Sequence, residues 1–189
     1  MIQARKHLGI LAGALMVLVA TASMAADGDK GNSAAKLSSD AQAALSQLTA
    51  TVPAAKALEK KAVAILVFPS ITKAGLMIGG QYGDGALLKR GKAVGYYNTT
   101  GISSGLQAGA QKFGYAMFFM NDGAVAQLDK AGGFEVGMGP TIVVMDEGKA
   151  KSTTTTSMKD DIYAFIFSQK GIMAGLGLQG NKITKIDPK

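Results

Sequence analysis

The fold of this chain is decided by residues 62–90, which read AVAILVFPSITKAGLMIGGQYGDGALLKR. The continuous apolar run 62–68, closed by Pro69, is strand-length and predicts a strand that is buried on both faces. Further on, Gly83-Asp84-Gly85 predicts a hairpin turn between two more strands. From residue 62 onward the sequence therefore has the pattern of a sheet rather than of helices.

Strand-length segments bounded by glycines or turn residues recur along the rest of the chain. They are residues 73–82, 85–90, 93–99, 103–110, 113–120, 134–138, 141–146, 161–168, 171–178 and 181–186. Many short strands with regular glycine turns are typical of a strongly curved or closed antiparallel sheet. The sequence predicts an α+β, mainly β fold with a barrel-like sheet and short flanking helices.

Three short helices are predicted around these strands. The first begins after Ser39 or Asp40 and ends at Thr51, and the second runs from Ala54 to about Lys61 after the helix-breaking Pro53. The third is capped by Asn121 or Asp122 and stops at Gly132-Gly133. Their inward side chains are predicted to be Ala41, Leu45, Leu48 and Val52 in the first helix, and Ala124, Val125 and Leu128 in the third.

The N-terminus has the pattern of a secretory signal. Arg5, Lys6 and His7 precede an apolar run, 8–20, that is shorter than the roughly 20 residues of a spanning helix, and small residues follow at Ser23 and Ala25. We expect cleavage after Ala25 and a periplasmic or secreted protein. The expected organisation is a signal peptide at 1–25, a disordered polar leader at 26–38 and a single domain at 39–189.

Missing residue types exclude most site chemistries. The chain has no cysteine or tryptophan, and its one histidine, His7, would leave with the signal peptide. A serine–histidine triad, a cysteine nucleophile, haem ligation by His or Cys and an ordinary zinc site are thereby excluded. We expect no cofactor, no metal site and no enzymatic activity.

Two short motifs of enzymes lack their context. Residues 175–180 satisfy GxGxxG, but only nine residues follow and they alternate like a strand, so no phosphate-binding helix can open there. Ser70 and Lys73 form S-x-x-K without the S-D-N and K-T-G partners of penicillin-recognising enzymes. A hydrolase without His or Cys, using Ser70 or Lys73, remains an alternative.

An integral outer-membrane β-barrel is a second alternative. It is disfavoured because such barrels carry girdles of aromatic residues, and only 6% of this chain is aromatic.

The chain is basic, with a formal net charge of +7 at pH 7. Nucleic acid is not an expected partner, because the exported part has one arginine and no tryptophan. Two basic clusters are candidates for contacting lipid head groups: Lys56, Lys60 and Lys61 on the second helix, and Lys89, Arg90 and Lys92 at a hairpin tip.

The ordered motifs from Val52 to Ile186 resemble the SYLF domain family. They include VPAAKALEKKAVAILVFP at 52–69, KAGLMIGG at 73–80, GLQAGAQ at 105–111, MNDGAV at 120–125, GMGP at 137–140 and YAFIFSQKGIMAGLGLQG at 163–180. The resemblance implies a compact β-rich fold with flanking helices and an ability to bind phospholipid. Some members of this family also bind actin, which is not expected of a chain exported by a signal peptide.

Together these observations predict an exported peripheral protein that binds anionic phospholipid or a membrane surface. Each basic residue near an anionic surface contributes about 1 kcal/mol, so three lysines alone give weak binding. Insertion of apolar side chains would add about 1.5–3 kcal/mol for each one fully buried, and the predicted candidates are Leu45, Leu48, Val52 and Leu58. The lipid species and the oligomeric state stay open.

Overall fold

The computed structural model describes residues 33–146, 159–171 and 180–189, with the side chains of 76, 77, 103–108, 146 and 171 left aside. In chain order the elements are α1 (Ala34–Thr51), α2 (Pro53–Glu59), β1 (Ala64–Lys89), β2 (Lys92–Phe119), α3 (Asp122–Ala126), a 3-10 turn (Gln127–Asp129), β3 (Phe134–Glu135), β4 (Ile142–Asp146), β5 (Ile162–Gly171) and β6 (Lys182–Ile186).

Helix α1 begins five residues before the predicted start of the domain. The hydroxyl of Ser33 accepts a hydrogen bond from the backbone N–H of Lys36 at 3.3 Å, which caps the helix. Leu37 is only 2% exposed and extends the apolar stripe by one turn. The predicted boundary of the leader at residue 38 is therefore corrected, because residues 34–38 are helical. The signal peptide and residues 26–32 lie outside the described residues.

Strands β1 and β2 form a long antiparallel ribbon. They pair from Ala64 opposite Phe119 to Lys89 opposite Lys92, and the turn between them has Arg90 at φ 51° and Gly91 at φ 77°. Two successive residues with positive φ are the signature of a type I′ turn, which matches the twist of the strands it joins. The separate strands predicted within 62–120 are thus joined into two strands of 26 and 28 residues.

The predicted hairpin turn at Gly83-Asp84-Gly85 is wrong, since these residues lie inside β1 opposite Tyr97 to Thr99. Their glycines allow the bent ribbon to pack against itself. A Cβ atom on Gly83 would lie 2.8 Å from Cγ1 of Ile71, and one on Gly85 would lie 2.6 Å from Cδ1 of Phe68. At both positions two parts of the ribbon approach too closely to leave room for a side chain, and glycine within a strand often marks such a close approach.

The remaining strands complete a curled sheet around β2. The order is β3-β6-β2-β5-β4, with β1 paired to β2 along its other edge. Pairs are antiparallel except β4 with β5, which is parallel. The predicted mainly β class with a strongly curved sheet and short helices is confirmed, and the sheet forms a half-barrel.

Two apolar cores lie on opposite faces of the ribbon. The inner core, enclosed by the curl, contains Phe68, Ile71, Phe113 and Tyr115. The outer core lies under α1 and α2 and includes Leu45, Leu48, Leu58, Ala86, Leu88, Phe118 and Phe165. No helix in the described part of the chain combines the length and the apolar character needed to cross a bilayer.

Candidate functional site

The predicted basic clusters are both exposed but belong to different elements. Lys56 lies on α2, and Lys60 and Lys61 follow its end. Lys89, Arg90 and Lys92 flank the β1–β2 turn, as the sequence predicted. The turn is fastened to α1 by a hydrogen bond of 2.8 Å that the side chain of Gln42 donates to the carbonyl of Gly91.

The four apolar side chains predicted to insert into a membrane are in the protein core. Their exposed fractions are 6% for Leu45 and 1% each for Leu48, Val52 and Leu58. They pack between the helices and the ribbon, since the apolar stripe of α1 and α2 has the sheet beneath it. This prediction is corrected: side chains that hold the helices onto the sheet are not available to a bilayer while the domain is folded.

The S-x-x-K motif does not assemble a nucleophile with its base. Ser70 is exposed, whereas Lys73 is 4% exposed and occupies the inner side of the ribbon. Within the described residues no group of three or more His, Cys, Asp or Glu side chains could hold a metal ion.

The carboxylate of Asp161 has a structural role. It accepts hydrogen bonds from the side-chain amide of Asn121 at 2.8 Å and from the backbone N–H of Thr141 at 3.1 Å. These hydrogen bonds hold the pKa of Asp161 below its ordinary range. The side chain of Asn121 also caps α3 through the N–H of Ala124, so the cap predicted from sequence is confirmed.

A patch of apolar side chains is exposed where the ribbon bends. Ile78 is 70% exposed, Tyr82 57% and Ile102 85%. Gly80 pairs with Ile102 and Tyr82 with Thr100, so Ile102 is the diagonal neighbour of both Ile78 and Tyr82 on one face of the ribbon. We call these three residues the bend patch.

Exposed lysines lie on both sides of the bend patch, on β2 and on the neighbouring strands β5 and β6. On the arm before the bend, Lys112 pairs with Lys170 of β5. On the arm after it, Tyr82, Thr100 and Lys182 form one row across β1, β2 and β6. Neighbouring strands are about 4.8 Å apart, so Lys182 lies about 10 Å from Tyr82.

The opposite, buried face of the bend is polar. Lys73 lies opposite Gln111, and both are 4% exposed. The side chain of Gln81 donates to Oδ1 of Asn181 at 3.3 Å, and Asn181 donates to the hydroxyl of Thr99 at 3.3 Å. At the bend, then, polar side chains face inward and apolar ones face outward, the reverse of the usual arrangement in water.

Sequence reasoning missed the bend patch because of an irregularity at Pro69 and Ser70. Phe68 pairs with Tyr115 and Ile71 with Phe113, so β1 holds one residue more than β2 between these pairs. Such a bulge moves every later side chain of β1 to the other face. Counting in steps of two from Phe68 puts Ile78 and Tyr82 inside, whereas they lie outside. Pro69, which suits a bulge, was the available signal.

Comparison with known proteins gives a family. Residues 100–188 match the family model Ysc84, described as Las17-binding protein actin regulator. No curated protein is matched by the chain. The matched span includes most of β2, all of α3 and the strands β3 to β6. Residues 100–188 therefore match the Ysc84 (SYLF) domain, and the resemblance predicted from the sequence is confirmed over this span.

Proposed function

We propose that this protein is an exported peripheral membrane protein that binds a phospholipid surface through the bend patch. The observation that carries the proposal is the reversed polarity of the bend, where Ile78, Tyr82 and Ile102 face outward and Lys73 and Gln111 face inward. Contiguous exposed apolar side chains rimmed by polar ones mark sites that meet a partner or a membrane.

Lysines around the patch favour an anionic bilayer as the partner. Lys112 on β2, Lys170 on β5 and Lys182 on β6 are exposed and would lie near the head groups when the patch enters the interface. Each contributes about 1 kcal/mol at an anionic surface. Ile78 and Ile102 add about 1.5–3 kcal/mol each when fully buried. The combination supports reversible binding rather than permanent anchoring.

The family supports lipid as the ligand. SYLF domains are in general lipid-binding or actin-regulatory, and are binding domains rather than enzymes. The family model is described by binding to Las17 and by regulation of actin. Export by the predicted signal peptide separates this chain from actin, so we propose phospholipid as the partner here.

The proposed location is the periplasm or the exterior of the cell, after cleavage following Ala25. Mass spectrometry of the mature protein tests it, with Ala26 as the expected first residue. An intact Met1 on the isolated protein would contradict export.

The two predicted basic clusters stay as secondary head-group contacts in this proposal. Each cluster has fewer exposed apolar side chains beside it than the bend patch contains. Val63, beside Lys61, is 36% exposed, and Val94, near Lys92, is 54% exposed. Positive charge without apolar contact attracts a protein to the membrane but does not bind it there stably.

The test is sedimentation with vesicles of phosphatidylglycerol and phosphatidylcholine. The double variant Ile78→Thr/Ile102→Thr keeps β-branched side chains in the strands and removes apolar surface, so we expect at least tenfold weaker binding. The matched control is Val94→Thr/Val144→Thr, which changes two exposed residues, 54% and 40%, elsewhere on the sheet. Circular dichroism verifies that both fold. Unchanged binding of the bend variant would refute the proposal.

A further inference from the structure

A groove opens beside β6, and two of its lining residues, Lys182 and Thr184, lie on the face of the sheet that carries the bend patch. Its volume is about 350 Å³, and it is lined by the 3-10 turn, by the segment that follows this turn, and by residues of β6. The lining residues used below are Asp129, Lys130, Gly133, Lys182, Thr184 and Lys185. Lys182 belongs both to this groove and to the row that contains Tyr82. The groove is therefore next to the apolar surface that would meet the bilayer.

The groove carries an excess of positive charge. Oδ1 of Asp129 accepts hydrogen bonds from the Tyr97 hydroxyl at 3.3 Å and from Nζ of Lys185 at 3.2 Å, so Asp129 already has a cationic partner. In the described part of the chain, the ion pairs are Lys36 with Asp40 and Lys185 with Asp129. Lys130 and Lys182 take part in neither. Glu135 lies opposite Lys182 across β3 and β6 and is the other carboxylate close to the groove.

Two glycines give this wall of the groove its shape. Gly132 and Gly133 have φ values of 90° and 89°, which side chains rarely adopt. A Cβ atom on Gly133 would lie 2.8 Å from Cγ2 of Thr184 and 3.2 Å from Cε of Lys182. Glycine thus lets the backbone lie directly against β6 while Lys182 keeps its position at the groove.

We infer that this groove binds the phosphate head group of an anionic phospholipid that remains in the bilayer, with Lys130 and Lys182 as the contacting cations. This inference rests on the proposed function, because the bilayer reaches the groove through the bend patch. Ligand pockets commonly measure about 300–1,000 Å³, and this groove is at the low end. It has room for a head group but not for two acyl chains, so the chains stay in the membrane.

The test is the double variant Lys130→Gln/Lys182→Gln, with Lys36→Gln/Lys159→Gln as the matched control. Both remove two positive charges from exposed positions, but the control residues neither line the groove nor belong to the bend or the two basic clusters. Vesicles of pure phosphatidylcholine are compared with vesicles that contain phosphatidylglycerol. We expect the groove variant to lose about thirtyfold in binding to the anionic vesicles, about fivefold for each lysine. Its binding to neutral vesicles should not change, and the control should keep its preference for anionic lipid.

The outcomes separate this inference from the proposed function. If the wild type binds and the groove variant keeps its preference for anionic vesicles, the groove inference is overturned while membrane binding stands. If the wild type binds neither vesicle type, both are overturned. A soluble competitor, glycerol 1-phosphate, distinguishes a lipid from a free phosphate compound: we expect it to compete weakly, at millimolar concentration. Tight binding of the competitor in the absence of vesicles would overturn a lipid as the occupant.

Discussion

Two regions of one face of the β1–β2 ribbon, one near the turn and one at the bend, differ in what covers them. Near the turn, Ala86 and Leu88 lie under α1 and α2 and are buried. Further along the same face, Tyr82 and Ile78 are mostly exposed. The sequence is apolar in both regions, so apolar character alone does not show which residues meet a membrane. The layer that covers each region decides whether its apolar side chains can meet a membrane, and here α1 and α2 cover the region near the turn.

The largest expected difference is in folding stability. Leu48→Ala should lower the free energy of unfolding by about 2–5 kcal/mol, because it leaves a cavity under α1. Ile102→Ala should change it by no more than about 0.5 kcal/mol, because the side chain is exposed. Urea denaturation measures both. Equal losses would mean that the bend patch is packed against something in solution, and the comparison would fail.

Charge reversal at the bend and at α2 should separate the roles of these two regions in binding. The bend variant Lys112→Glu/Lys170→Glu/Lys182→Glu should lose about 3 kcal/mol or more of binding to anionic vesicles, roughly a hundredfold, since three attractive charges become repulsive. The helix variant Lys56→Glu/Lys60→Glu/Lys61→Glu changes the net charge equally but is expected to lose less. A greater loss from the helix variant would move the head-group contact to α2.

Glycine substitutions test whether the ribbon packs against itself. Gly83→Ala should destabilise the fold by about 1–3 kcal/mol, since the new Cβ would press on Ile71. The nearby Gly80 is the control, because the closest atom to a Cβ there is the carbonyl oxygen of Gly101 at 4.0 Å. Gly80→Ala should therefore be neutral or slightly stabilising. Thermal melts that rank the two variants in the opposite order would contradict the close approach at Gly83.

The smallest expected effect is a change in the dependence of stability on pH. Burial, and then the nearby Asp129 carboxylate, raise the pKa of Tyr97 from 10.0 to about 12. The stability due to its neutral hydroxyl is fully present below pH 10 and is lost as the pH rises through the folded pKa. Tyr97→Phe should lose less stability than the wild type between pH 10 and pH 12 in urea titrations. Burial also raises the pKa of Tyr115, so the variant keeps part of the slope. Identical slopes would show that Tyr97 is not held neutral.

The sequence was sufficient for the presence of three helices, the mainly β class and the β1–β2 turn, but α1 begins earlier and α3 ends earlier than predicted. Periodicity identified Ala41, Leu45 and Leu48 as one face, and the structure buries all three. The predicted insertion site was wrong for the same reason. An apolar stripe on a helix can pack on a sheet as well as enter a bilayer, and here it packs on the sheet. The bend patch was hidden because one extra residue at Pro69 and Ser70 reverses the alternation, and pairing across strands is needed to see it.

The register of the ribbon also has a consequence for the speed of folding. Pairing begins next to the turn, where Lys89 and Lys92 are three residues apart, and ends at Ala64 and Phe119, far apart in sequence. Each pair brings the next one close, so the ribbon can grow outward from Arg90 and Gly91 while closing only a short loop at every step. We expect the turn to be formed in the transition state and the pairs near Ala64 to form late, a pattern that φ-value analysis would detect. The pairs near Ala64 and Phe119 connect residues far apart in sequence. Growth from the turn would let the ribbon avoid much of the slow folding that such non-local contacts usually cause.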